Sequence, residues 1–128
     1  MKKIVLFGDS LLTGVMNGET SDILDRYILD ELSEMGFPGY RLIKLGHRGE
    51  TSSDGLKRID EAVEAEGDFV VISFGTNDSL KQKNSINLFG ENIEQMLRSF
   101  DAAKIILLTP GYLNTKIRTD GDNERQQI

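Results

Sequence analysis

Apolar residues run almost unbroken through Ile4-Val5-Leu6-Phe7, Phe69-Val70-Val71-Ile72 and Ile105-Ile106-Leu107-Leu108. Short continuous runs of this kind, bounded by glycine, proline or polar clusters, fit strands covered on both faces of a parallel sheet. The pattern predicts strands over 3–7, 40–45, 68–74 and 104–109. Between them the apolar positions recur at helical spacing instead. Ile23, Leu24, Tyr27, Ile28, Leu32 and Met35 make one helix face, and Leu56, Ile59, Ala62 and Val63 a second. Ile86, Phe89, Ile93, Met96, Leu97 and Phe100 make a third. Ser21 is a cap candidate for the first helix and Thr51, Ser52 and Ser53 for the second, while the third starts near Ser85. Gly36, with Pro38 beyond it, stops the first helix, and Gly67 stops the second.

Strand-helix alternation predicts an α/β protein, a parallel sheet with helices on both faces and strand order 2-1-3-4. No repeat, low-complexity segment or linker divides the 128 residues, so a single domain over 1–128 is expected. A 38% hydrophobic content can form a core, and 28% charged residues with a net charge of −6 argue for a soluble chain. The acidic balance speaks against nucleic acid or a membrane surface as partner, because clustered Lys and Arg hold those. Cysteine is absent, which excludes disulfides and thiolate metal sites and makes the cytoplasm the expected compartment. Met1-Lys2-Lys3 leads into a short strand and not a signal peptide, and no apolar run approaches transmembrane length.

In a parallel sheet all strands end at one edge. Three polar clusters gather there: Gly8-Asp9-Ser10, Gly46-His47-Arg48-Gly49-Glu50-Thr51 and Gly75-Thr76-Asn77-Asp78. A serine just past a central strand sits where open α/β sheets place their ligands. Acyl transfer needs a hydroxyl nucleophile and donors aimed at the developing oxyanion. Ser10 offers the hydroxyl and its own N–H, Gly49 a closely approachable backbone N–H, and Asn77 a carboxamide. Asp9 and Asp78 read as side chains that hold their turns. Leu12 and Met16, in the glycine-punctuated loop after the first strand, fit either an acyl pocket or packing under that loop. Singly, each cluster is an ordinary turn; their joint occurrence at three successive strand ends points to chemistry.

Gly8-Asp9-Ser10-Leu11-Leu12-Thr13-Gly14, Gly49-Glu50-Thr51 and Gly75-Thr76-Asn77-Asp78 resemble, in order, blocks I, II and III of the GDSL-type, or SGNH, hydrolase family. The resemblance covers nearly the whole chain. It implies a three-layer flavodoxin-like fold and hydrolysis of esters, thioesters or acetylated sugars, with no metal or cofactor. It also implies a serine esterase or lipase-type acylhydrolase, acting on a small-molecule acyl ester through an acyl-enzyme on Ser10. Ser10, Gly49 and Asn77 would form the oxyanion hole.

Two departures stand out. Lys44 occupies the place where many members begin block II with Asn. The family's catalytic Asp and His come from a C-terminal Asp-x-x-His, after a further helix and strand, and that pattern is not among these residues. The one histidine, His47, lies in the second loop, where the family has no base, and reads as a pocket or bystander residue. The chain is therefore expected to be the larger N-terminal part of a hydrolase, truncated before its fifth strand. The fourth strand, opened by Lys104 and closed by Thr109, would then be an exposed apolar edge able to pair with a second copy.

Three non-catalytic readings compete, one of them a catalytically dead descendant that serves only as an interaction module. A receiver-type module needs a phosphoacceptor Asp at the end of the third strand, where this chain has Phe74-Gly75. A phosphate-binding flavodoxin-like module would use Thr13, Gly14, Thr51 and Ser52 near helix N-termini.

Overall fold

A computed structural model of the chain describes residues 2–9, 15–16, 19–20, 22–81, 85–101 and 103–110. Ser10, Leu12, Thr13, Gly14 and Ser21 lie outside these, and of Met16 only the backbone is described. In chain order the elements are β1 (Lys2–Gly8), β2 (Val15–Met16), β3 (Glu19–Thr20), α1 (Ile23–Glu34), β4 (Tyr40–Gly46), α2 (Ser52–Lys57), α3 (Ile59–Glu64), β5 (Phe69–Ser73), α4 (Thr76–Lys81), α5 (Ile86–Arg98) and β6 (Lys104–Leu108). The four long strands form one parallel sheet in the order β4-β1-β5-β6, which is the predicted 2-1-3-4. A two-stranded antiparallel pair, β2 with β3, follows β1 where the sequence reads only as a loop.

The two-residue period of the strands divides the sheet into unequal faces. Val5 and Phe7 share one face with Val70, Ile72 and Ile105, and this face packs against Ala62, Phe89, Ile93 and Met96 of α3 and α5. The rings of Phe7 and Phe74 meet edge-on, 5.3 Å between centroids. Each fully buried side chain of this kind contributes roughly 1.5–3 kcal/mol, so this layer carries the core. The opposite face bears Ile4, Leu6, Phe69 and Val71, and with Ile28 and Leu32 of α1 it lines an open apolar groove of about 420 Å³. No residue of α1 is fully buried, and Tyr27 and Met35 are each 66% exposed, so its predicted apolar face is only partly covered.

Several sequence expectations change at the helices. The first begins at Ile23, with Asp22 at the N-cap position. The second is two helices, because the backbone leaves the helical region at Arg58 (φ −115°, ψ 21°) and its side chain turns inward. The new phase gives Ile59, Ala62 and Ala65 to the core and leaves Val63 exposed. Ile86 is also exposed, in the first turn of α5, whereas Asn92 is buried because Ser52 and Ser53 accept its amide hydrogens. The Gly75-Asp78 cluster, an ordinary turn when read singly, is the start of a helix: α4 opens at Thr76. At the sheet edge, Ile106, Leu107 and Leu108 are exposed, and among the described residues β6 pairs only with β5.

Candidate active site

Three strand ends are held in register at one edge: Gly8 of β1 stands beside Gly46 of β4 and Ser73 of β5. The pairing runs on past the strands. Asp9 N donates to Ser73 O (3.2 Å), and His47 N donates to Gly8 O (3.0 Å). Asp9 is buried, so the residue immediately before Ser10 sits between the two loops that carry Gly49 and Asn77.

Local sequence explains how each loop bends. Gly49 has φ +77°, a left-handed conformation that glycine adopts without strain. Directly after Glu50, Thr51 caps α2 through a reciprocal box: Asp54 N donates to Thr51 Oγ1 (3.3 Å), and Thr51 N to Asp54 Oδ2 (3.0 Å). Gly75 (φ +125°) makes the bend from β5 into α4, where a Cβ would lie 3.0 Å from Pro110 and 3.2 Å from Phe89. In the first turn of α4, Asn77 Nδ2 donates to Glu50 O at 3.0 Å. The carboxamide therefore lies against the residue that follows Gly49.

Behind this contact lie two polar clasps. Asp78 is fully buried, and its carboxylate accepts from Ser52 N (2.8 Å) and Ser52 Oγ (2.6 Å). Ser52 Oγ in turn accepts from Asn92 Nδ2 (3.0 Å), which also donates to Ser53 Oγ (3.0 Å). Asp78 thus reaches beyond its own turn and ties α4 to the start of α2. In the second clasp, Arg58 Nε donates to both oxygens of Glu50 (2.8 and 3.0 Å), and Nη2 donates to Gly8 O (3.1 Å). The guanidinium lies over Phe7, 4.6 Å from the ring centroid. His47 Nδ1 stands 3.1 Å from Glu50 Oε1 with its side chain 56% exposed, at the rim and not among the buried groups.

Of the residues predicted for the site, Gly49, Asn77, Asp9, Asp78 and His47 are gathered at this edge; Ser10 and Leu12 lie outside the described residues. Sequence reading missed Glu50, Arg58 and Asn92 as organisers of the edge. No local signal marks them: Arg58 stands in Leu56-Lys57-Arg58-Ile59-Asp60 as one charge among several. Among the described residues no group of His, Cys, Asp or Glu is arranged to hold a metal ion. No helix among them is long and apolar enough to cross a membrane.

The family model of the GDSL-like lipase/acylhydrolase family matches residues 6–128. Among solved structures, a lipase/acylhydrolase from Enterococcus faecalis is 36% identical with a TM-score of 0.90, over 99% of this chain and 66% of that one. TesA (23% identity, TM-score 0.78) matches over 98% of this chain and 67% of its own. The acetyl xylan esterase Axe2-W215I from Geobacillus stearothermophilus (23% identity, TM-score 0.77) matches over the same shares, 98% and 67%. At that identity the last two show a shared fold. This chain spans about two thirds of the length of these structures. Among curated proteins no match was found. With the predicted sheet order, Gly8-Asp9 and the Gly49 and Asn77 clusters at one edge, and a family match over nearly all its length, the chain belongs to the GDSL-like lipase/acylhydrolase family.

Proposed function

We propose that this edge is the site of a serine esterase that hydrolyses a small acyl ester. Ser10 Oγ attacks the acyl carbonyl and forms a C–O bond. The oxyanion that develops accepts from the N–H of Ser10, the N–H of Gly49 and the Asn77 carboxamide. Collapse expels the alcohol, which takes up the proton from the general base, and leaves an acyl-Ser10 ester. Water then attacks this ester, releasing the carboxylic acid and restoring the hydroxyl. The base is assigned, by family resemblance, to a histidine of the C-terminal Asp-x-x-His block. His47 is left to the pocket rim because its Nδ1 is directed at Glu50. The cysteine-free composition favours the cytoplasm.

One observation carries the reading most: Asn77 Nδ2 bonded to Glu50 O at 3.0 Å. A primary amide has two N–H donors; one fixes the side chain beside Gly49, and the other is the donor assigned to the oxyanion. The receiver and phosphate-binding alternatives find less support. Phe74-Gly75 follows β5 without the acid a receiver needs, and Thr51 and Ser52 are engaged by Asp54 and Asp78.

The test is Ser10→Ala in the full-length protein. Hydrolysis of p-nitrophenyl acetate and labelling by a fluorophosphonate probe should both disappear. Retained turnover in that variant would overturn the assignment.

A further inference from the structure

We infer that Arg58 is a positioning residue of this edge: one guanidinium ties the Glu50 loop, against which Asn77 is held, to the end of β1 two residues before Ser10. The inference rests on the esterase reading and adds to it a residue that no motif block contains. Arginine presents its donors in a rigid planar fork, so two edges can hold two partners in fixed relation. Here Nε takes Glu50 and Nη2 takes Gly8 O, two residues before Ser10. Glu50 is thereby held at both ends, its carboxylate by Arg58 and its carbonyl by Asn77 Nδ2. Glu50 directly follows Gly49, so holding its side chain and the Glu50–Thr51 peptide plane anchors the chain on the C-terminal side of the Gly49 turn. Phe7 backs the guanidinium, and only 12% of the Arg58 side chain is exposed, so the fork has little room to swing.

The backbone supports the same conclusion. The helix breaks at Arg58 although neither glycine nor proline stands at 57–59. The inward contacts of this side chain are what the break gains. A lysine ammonium is a point charge on a flexible stem, able to reach Glu50 or Gly8 O but lacking the fork that holds both.

The experiment compares Arg58→Lys, Asn77→Ala and the double variant in the full-length protein, with p-nitrophenyl acetate, well below each unfolding temperature. Displacing a positioned group by about 1 Å can cost ~10²-fold in rate. Arg58→Lys should therefore lower kcat about 10- to 100-fold, with KM changed by less than about threefold. The double variant should lose less than the product of the two single losses, because the Asn77 donor that Arg58 helps to place through Glu50 is already gone. A second readout does not need turnover. In a Ser10→Ala background, the Gly49 and Glu50 amides should exchange at least about tenfold faster when Arg58→Lys is added. Glu50→Gln, which keeps an oxygen acceptor for the fork, should fall between wild type and Arg58→Lys in both readouts. Multiplicative losses in the double variant, or unchanged amide exchange, would overturn the inference. If Ser10→Ala retained turnover, the esterase reading would fail, while amide exchange would still decide the role of Arg58.

Discussion

Asp78→Ala should be among the more destabilising single substitutions outside the apolar core. The carboxylate is fully buried and accepts from both Ser52 N and Ser52 Oγ, and Ser52 is itself 0% exposed. Alanine removes the carboxylate acceptor of two donors where water does not reach. A buried donor without its acceptor costs roughly 1–3 kcal/mol, so the pair costs about 2–6 kcal/mol. Against a typical domain stability of roughly 5–15 kcal/mol, that is a large fraction. Asp78→Asn keeps one oxygen for Ser52 N–H, and the Ser52 hydroxyl can rotate to accept from the introduced amide. It should cost less, about 1–2 kcal/mol. Urea unfolding followed by circular dichroism measures both, provided the m-values stay constant. If Asp78→Ala lay within about 1 kcal/mol of wild type, or if asparagine were worse than alanine, the clasp would not hold α4 to α2 as described.

Three further outcomes are expected. Asn77→Ala should lower kcat for p-nitrophenyl acetate by ~10²–10³, the usual loss for one oxyanion-hole donor; a loss below tenfold would remove the carboxamide from that role. Gly55→Ala should destabilise the fold despite alanine's better helix propensity, because its Cβ would lie 2.3 Å from Cζ and 2.8 Å from Cε1 of the buried Phe74 ring. Overpacking of this kind costs roughly 1–3 kcal/mol against a helix gain of about 1, and thermal melting gives the sign. We also propose that the 128-residue chain self-associates through the outer edge of β6, where Ile106, Leu107 and Leu108 are exposed. Light scattering should show dimers or larger species, and Ile106→Lys should shift them toward monomer.

Much of the architecture is legible in the residue pattern alone. The apolar runs at β1 and β5 and the change to helical spacing between the strands lead to the observed sheet, because burial imprints directly on strand residues. The run at β6 marks a strand too, although Ile106, Leu107 and Leu108 are exposed. Phe89, Ile93 and Met96 lie inward as their spacing predicts. Thr51 and Ser85 cap helices, since Asp54 N and Leu88 N, their hydrogen-bond donors, lie only three residues on. The same reasoning misjudges Val63 and Ile86, whose spacing fits a core face. Periodicity says which residues share a side of a helix, but not whether another element covers that side.

By itself, then, the sequence determined the strand order, the alternation that makes the sheet parallel, and the gathering of three motif clusters at one edge. The alternation follows from burial that strand and helix positions register, and the order and the shared edge follow from that alternation under the rules for parallel crossovers. Only the tertiary structure decided how that edge is braced. Asp78 reaches Ser52 across 26 residues, Asn92 reaches Ser52 across 40, and Arg58 reaches Gly8 across 50. Hydrogen bonds between such distant groups leave no period in the chain. They form because packing has already brought buried donors and acceptors together, where leaving them unpaired would be costly.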